Sequence, residues 1–130
     1  MTAVVDTSVL VRHFTQDDPV LGQRATQYLA NAGAGELIVT EVVLSEMVVV
    51  LERYYRQSRP EITQAVRSLI SAPQISTTDS ATLSRTADLY EGGSAFVDAY
   101  AVAVAERERC SVASFDKRIT RRSGVQRIEP

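Results

Sequence analysis

The sequence holds a single cysteine, Cys110, a single histidine, His13, and no tryptophan. One cysteine excludes an internal disulfide and any thiolate cluster for zinc. Its place just before an expected strand reads as a packed small hydrophobe rather than a nucleophile. One histidine leaves a Ser-His-Asp triad or an imidazole zinc site to be built around His13 alone, with no second ring to assist. A surface position on a short helix is the plainer expectation for it. Apolar runs such as Val48-Val49-Val50-Leu51 and Ala101 to Ala105 are far too short to span a bilayer. The start, Met1-Thr2-Ala3-Val4-Val5-Asp6, lacks a basic stretch followed by a long apolar one. No membrane association and a cytoplasmic location are therefore expected. An excess of positive charge is missing too, since the net charge is −2. That argues against nucleic-acid binding by bulk electrostatics.

What is present suits one globular domain over residues 1–130. Hydrophobic residues make up 45% and charged residues 23% of the chain, ordinary values for a folded protein. Nearly all of the 14 basic residues are arginine, and Lys117, Arg118, Arg121, Arg122 and Arg127 crowd the last stretch. Phosphate recognition would favour arginine in this way. A composition bias in the gene would do the same, and is the weightier explanation.

Short β-branched runs alternate with helical periods. Thr2 to Val5, Leu37 to Val39, Ile75 to Thr77, Ser111 to Phe115 and a stretch near Val125 to Ile128 read as strands. Thr7 to Phe14, a helix from Asp17-Asp18-Pro19 to Gly33, Thr40 to Tyr55, Pro60 to Ile70, Asp79 to Tyr90 and Phe96 to Glu108 read as helices. Val20, Leu21, Ala25, Tyr28 and Leu29 are expected to form the apolar face of the second helix. Val43, Leu44, Met47, Val48 and Leu51 do the same for the third. This alternation predicts an α/β fold with a mainly parallel sheet covered by helices.

With cysteine and histidine so scarce, carboxylates are the main tools left for hydrolytic chemistry. Such sheets carry functional groups at the carboxyl ends of their strands. Asp6 ends the first strand and Asp116 follows the fourth, although a helix N-cap explains either one alone equally well. Asp98 lies in Phe96-Val97-Asp98-Ala99-Tyr100-Ala101-Val102, apolar on nearly every face, where an unpaired carboxylate is costly. A buried ionic site is the expectation there. Glu46 lies in Val42-Val43-Leu44-Ser45-Glu46-Met47-Val48, with no arginine one turn away to pair with. It either faces solvent between buried rows or points inward over the sheet's edge. Clustered acids repel one another unless a cation binds, and oxygen-only ligation suits Mg²⁺ or Mn²⁺.

Four segments together resemble a known pattern. Val4-Val5-Asp6-Thr7-Ser8-Val9-Leu10-Val11 resembles the opening motif of PIN-domain nucleases. Thr40-Glu41-Val42-Val43-Leu44-Ser45-Glu46, Phe96-Val97-Asp98-Ala99-Tyr100 and Ser114-Phe115-Asp116-Lys117 resemble that family's second, third and fourth motifs, in order. The length is most similar to VapC-type toxins of bacterial type II toxin–antitoxin pairs. The resemblance implies a three-layer α/β/α sandwich and Mg²⁺- or Mn²⁺-dependent hydrolysis of RNA, leaving a 5′-phosphate and a 3′-hydroxyl. It makes Asp6, Glu46, Asp98 and Asp116 the catalytic acids. Asp6, Asp98 and Asp116 would lie nearest the metal, and Glu46 would act through water. Ser8 and Ser114 become candidates for orienting a carboxylate or water, and Arg12, Lys117 and Arg118 for touching RNA phosphates. The implied partners are a VapB-like antitoxin, docked by a basic peptide on apolar surface of the first helices, and a second copy in a homodimer. Two rivals are a PIN-like nuclease that processes RNA outside any toxin pair and a PIN-like module that binds RNA or a partner without cutting. A haloacid-dehalogenase-like phosphatase is weaker still, because Ser8 stands where that chemistry places a second Asp.

Overall fold

The computed structural model describes residues 2–130 and divides into two compact units, one running to Thr78 and the other spanning Asp79–Pro130. Among the described residues there are six helices and five short strands, all paired in parallel. The α/β class with parallel strands therefore stands as expected. The strands fall into a three-stranded sheet in the first unit and a two-stranded one in the second. No helix among the described residues is long and apolar enough to cross a membrane.

The first unit comprises β1 (Ala3–Val4), α1 (Thr7–Thr15), α2 (Pro19–Asn31), β2 (Leu37–Ile38), α3 (Glu41–Arg53), α4 (Arg59–Ser71) and β3 (Ile75–Ser76). Its strand order is β1-β2-β3, with Ala3 opposite Leu37 and Leu37 opposite Ile75. Because all three run the same way, Asp6 and Thr40 leave the sheet at one edge as caps of the helices that follow. Thr40 Oγ1 accepts the Val43 N–H at 3.2 Å. The valine-rich stretch of α3 stays helical because tertiary burial outweighs modest propensity. Leu44, Met47, Val48 and Leu51 recur every three to four residues and are fully buried, and each such side chain contributes about 1.5–3 kcal/mol. Val43, expected beside them, is half-buried.

Helix α2 departs from its expected face. Val20, Leu21 and Tyr28 are exposed, while Gly22, Ala25 and Leu29 are buried. The cause is close packing of α2 on α1, which requires the smallest side chain at the crossing. A Cβ on Gly22 would stand 2.5 Å from Gln16 Oε1 and 3.1 Å from the Arg12 carbonyl oxygen. Three larger apolar groups are thereby turned outward. His13 is part of the same junction and is half-buried rather than a surface residue. Its Nδ1 lies 2.8 Å from Thr26 Oγ1, and burial lowers its pKa.

The second unit comprises α5 (Ser80–Glu91), α6 (Phe96–Glu108), β4 (Val112–Ala113) and β5 (Arg127–Ile128). Helices α5 and α6 pack along one another, and Tyr90 meets Phe96 edge to face at 5.8 Å. A bidentate Arg85–Glu106 pair at 2.7 and 3.0 Å ties the two helices on the flank. Ser123 Oγ donates to the same Glu106 at 2.6 Å, fixing the return of the chain toward β5. Strand β4 is shorter than its apolar run suggests, and Phe115 is exposed. Cys110 is exposed too, contrary to expectation. Arg109 ends α6 in the left-handed conformation (φ 55°), so the chain has turned off the packed face before Cys110.

Candidate active site

In the first unit, Asp6 is both the end of β1's run and the N-cap of α1. Its Oδ2 accepts the Ser8 hydroxyl at 2.7 Å and the Ser8 N–H at 3.2 Å. The hydroxyl is the larger cause, and the backbone bond the next, of a carboxyl held below its usual pKa. Asp6 is exposed, and the Ser8 hydroxyl donates to its carboxylate. Asp6, Ser8 and Arg12 line one groove with Val5, Val9 and Leu21, so that a carboxylate stands at the rim of a mainly apolar channel. Arg12 is engaged, pairing with Asp17 at 3.0 Å. Glu46 is exposed between the buried Leu44 and Met47, which is its solvent-facing alternative, and it is not part of that groove.

The second unit brings Asp98 and Asp116 to a single pocket of about 290 Å³. Asp98 sits in the first turn of α6, whose N-cap, Ala95, provides no side-chain acceptor. The helix dipole at that end favours an anion. Asp98 is half-buried rather than enclosed, because α6 exposes Val97 and Ala101 on either side of its packed rows. Its carboxylate has no hydrogen-bonding or ion-pair partner among the described residues. Asp116 is exposed in the turn after β4. Its N–H donates to Ser114 Oγ at 3.0 Å, and its Oδ1 accepts the Arg118 N–H at 2.9 Å. Ser114 thus shapes the turn that presents Asp116 rather than touching its carboxylate.

Of the expected phosphate contacts, Arg118 lines this pocket, 80% exposed and 3.9 Å from Asp116. Lys117 is exposed and outside the lining. Arg121 and Arg122 line it as well, and neither stood among the contacts expected from sequence. The signal was present in the basic cluster near the end of the chain, where composition bias was the favoured explanation.

The donor chemistry suits a hard divalent cation, since both pocket carboxylates offer oxygen alone. Among the described residues no three His, Cys, Asp or Glu side chains stand close enough to form a metal-holding group. Asp98 and Asp116 belong to the second unit, and Asp6 and Glu46 to the first. A family model described as PIN domain matches residues 3–125, almost the full length and both units. No curated protein matches the chain.

Proposed function

The chain belongs to the PIN domain family, whose members are generally nucleases that act on RNA, and from that premise we propose that it is a Mg²⁺- or Mn²⁺-dependent ribonuclease. The observation that carries this reading is the pocket of the second unit. Two carboxylates line it, and one of them, Asp98, has no hydrogen-bonding or ion-pair partner among the described residues. In this reading Asp98, Asp116 and Asp6 hold the cation, with Glu46 acting through water. When bound, such a cation supplies Lewis acidity toward a phosphoryl oxygen and lowers the pKa of water.

The protein's own groups do the rest. Ser8 keeps Asp6 ionised by donating to Oδ2. The Arg118 N–H and Ser114 Oγ fix the turn that presents Asp116. Asp98 is held in register by the buried Phe96 and Ala99 on either side of it. Purified protein is expected to cleave structured RNA, to stop in EDTA, and to resume when Mn²⁺ is restored. Cleavage that persists undiminished in EDTA, or a protein silent toward a broad RNA panel after removal of any copurifying partner, would refute the assignment.

We further propose that the enzyme is the toxin of a toxin–antitoxin pair. The apolar groove beside Asp6 supports this role, because a peptide lying along Val9 and Leu21 could reach the Asp6 carboxylate with a basic side chain. A VapB-like antitoxin supplying that peptide, and a homodimer burying the exposed Val4, Val20 or Tyr28, complete the proposal. A short reading frame immediately upstream that encodes a small DNA-binding protein tests the pairing. Its absence favours a solitary RNA-processing nuclease. Light scattering tests the dimer.

A further inference from the structure

The pocket of the second unit contains charge of both signs that does not cancel. Asp98 and Asp116 line it together with Arg118, Arg121 and Arg122. Arg118 approaches Asp116 at 3.9 Å, but among the described residues Arg121 and Arg122 form no ion pair. Two guanidinium groups beside two carboxylates would ordinarily collapse into salt bridges if pairing were their purpose. These instead leave about 290 Å³ of open, polar space.

Arg122 also has a prepared seat. Gly92 and Gly93 end α5, and a Cβ at Gly93 would stand 2.6 Å from Arg122 Nη2. A Cβ at Gly92 would stand 3.1 Å from Arg122 Cδ. Gly93 is needed for its own backbone as well, at φ +123°. Gly92 is not, since its φ of −70° suits any residue. A Cβ at Gly92 would crowd the stem of this exposed arginine, so the bare turn gives the side chain room to lie across it. Arginine suits such a position because its planar fork can lie flat on backbone while presenting several N–H donors outward.

We propose that Arg121 and Arg122 form a phosphodiester-binding subsite for the RNA strand, in the pocket lined by Asp98 and Asp116, with Arg122 lying over the Gly92–Gly93 turn. The inference rests on the nuclease reading and adds to it two residues and a mode of attachment. A polyanionic strand cannot approach two carboxylates unaided, and two arginines on the same pocket supply the compensating charge. The contact is to phosphate and so positions the strand without reading its sequence.

The test is equilibrium binding of a short single-stranded RNA oligonucleotide across a salt series. The full chain carries Asp6→Asn, which silences cutting in the proposed mechanism and leaves the second unit unaltered. Arg121→Ala and Arg122→Ala should each weaken binding and flatten the dependence of log affinity on log salt by about 0.7 per lost phosphate contact. Arg122→Lys should restore the slope, because a point charge serves a phosphate. Gly92→Ala, which crowds the Arg122 stem, should weaken binding less than Arg122→Ala does and add nothing to it, because its effect runs through that side chain. Circular dichroism on each variant separates loss of fold from loss of contact. A parent that holds no RNA at low salt overturns both the nuclease reading and this one. A parent that binds, with both arginine variants keeping its slope, overturns the subsite alone.

Discussion

The two units use their carboxylates differently. In the first, Asp6 has a structural duty, because it caps α1 through Ser8. In the second, Asp98 caps nothing; its helix is capped by Ala95 without a side-chain bond, and its carboxylate has no partner among the described residues. A residue that both caps and serves chemistry cannot be assigned from its position, since a cap alone explains it. A half-buried acid with only the helix dipole to favour it and no partner for its carboxylate calls for a further explanation. The lesson is that Asp98 is the cleaner probe of function and Asp6 the cleaner probe of the link between function and folding.

The largest effect is expected at Asp98. Asp98→Asn removes a charge that pairs with nothing and gives up only the modest helix-dipole attraction, so the thermal midpoint should stay within about 4 °C of wild type. Cleavage of RNA should fall on the order of 10³-fold, the result of losing several kcal/mol of transition-state stabilisation. Single-turnover cleavage and a thermal melt on the same preparation check both halves. Activity within a few-fold of wild type would return Asp98 to the status of a solvated helix residue and erase the contrast between the units.

Asp6 sharpens the contrast by a pair of variants. Asn is as good an N-cap as Asp, whereas Ala is not. Asp6→Asn should therefore lose activity while keeping stability. Asp6→Ala should lose both, with a midpoint lower by about 4 °C through the missing acceptor for Ser8. Equal midpoints for the two variants would show that the cap contributes nothing, leaving Asp6 as free for chemistry as Asp98.

The elements were legible because period and punctuation agreed. Asp18-Pro19 and Pro60 lie where the structure begins helices, and the gap between Tyr90 and Phe96 lies where one ends and the next begins. The spacing of Leu44, Met47, Val48 and Leu51 marked a single buried face of α3. What escaped depended on contacts distant in sequence. The inward turn of Gly22 and outward turn of Val20 follow from the approach of α2 to α1, which no local period encodes. The half-buried state of His13 follows from the same junction. Cys110 was misplaced because one left-handed residue, Arg109, redirects the chain, and arginine gives no sign of that conformation. The acids proposed for the site come from their motifs. The pocket shared by Asp98, Asp116 and the two unpaired arginines is a product of the turn at 114–118 and the return of the chain past Gly92.

Glu46 lies between these extremes. It is exposed and outside the groove that holds Asp6, so Glu46→Gln should leave the midpoint within about 2 °C. If it acts through water, activity should fall on the order of 10- to 100-fold, less than at Asp98. A loss equal to that of Asp98→Asn would place Glu46 among the direct ligands instead.

The smallest effect concerns acid stability, where the units again offer matched probes. Asp17 in the first is held at about 2, first by the Tyr55 hydroxyl and then by Arg12 and Thr15. Asp79 in the second is held at about 2 by the Thr82 N–H and hydroxyl and by Arg107. Both folded values lie below the ordinary 3.8, so the unfolded chain binds protons first as pH falls. The stabilisation is complete above pH 3.8 and is lost as pH drops toward about 2. Neither group titrates near neutrality, so neither should shape a neutral pH–activity profile. Asp79→Asn retains an N-cap acceptor but has no charge to lose, as does Asp17→Asn for the Tyr55 hydroxyl. Each variant should therefore show a shallower decline in melting midpoint between pH 3.8 and about 2 than wild type, and the two effects should add. Should only one variant flatten the curve, the other unit's carboxylate does not govern the acid limb, and acid sensitivity would be a property of one half of the molecule.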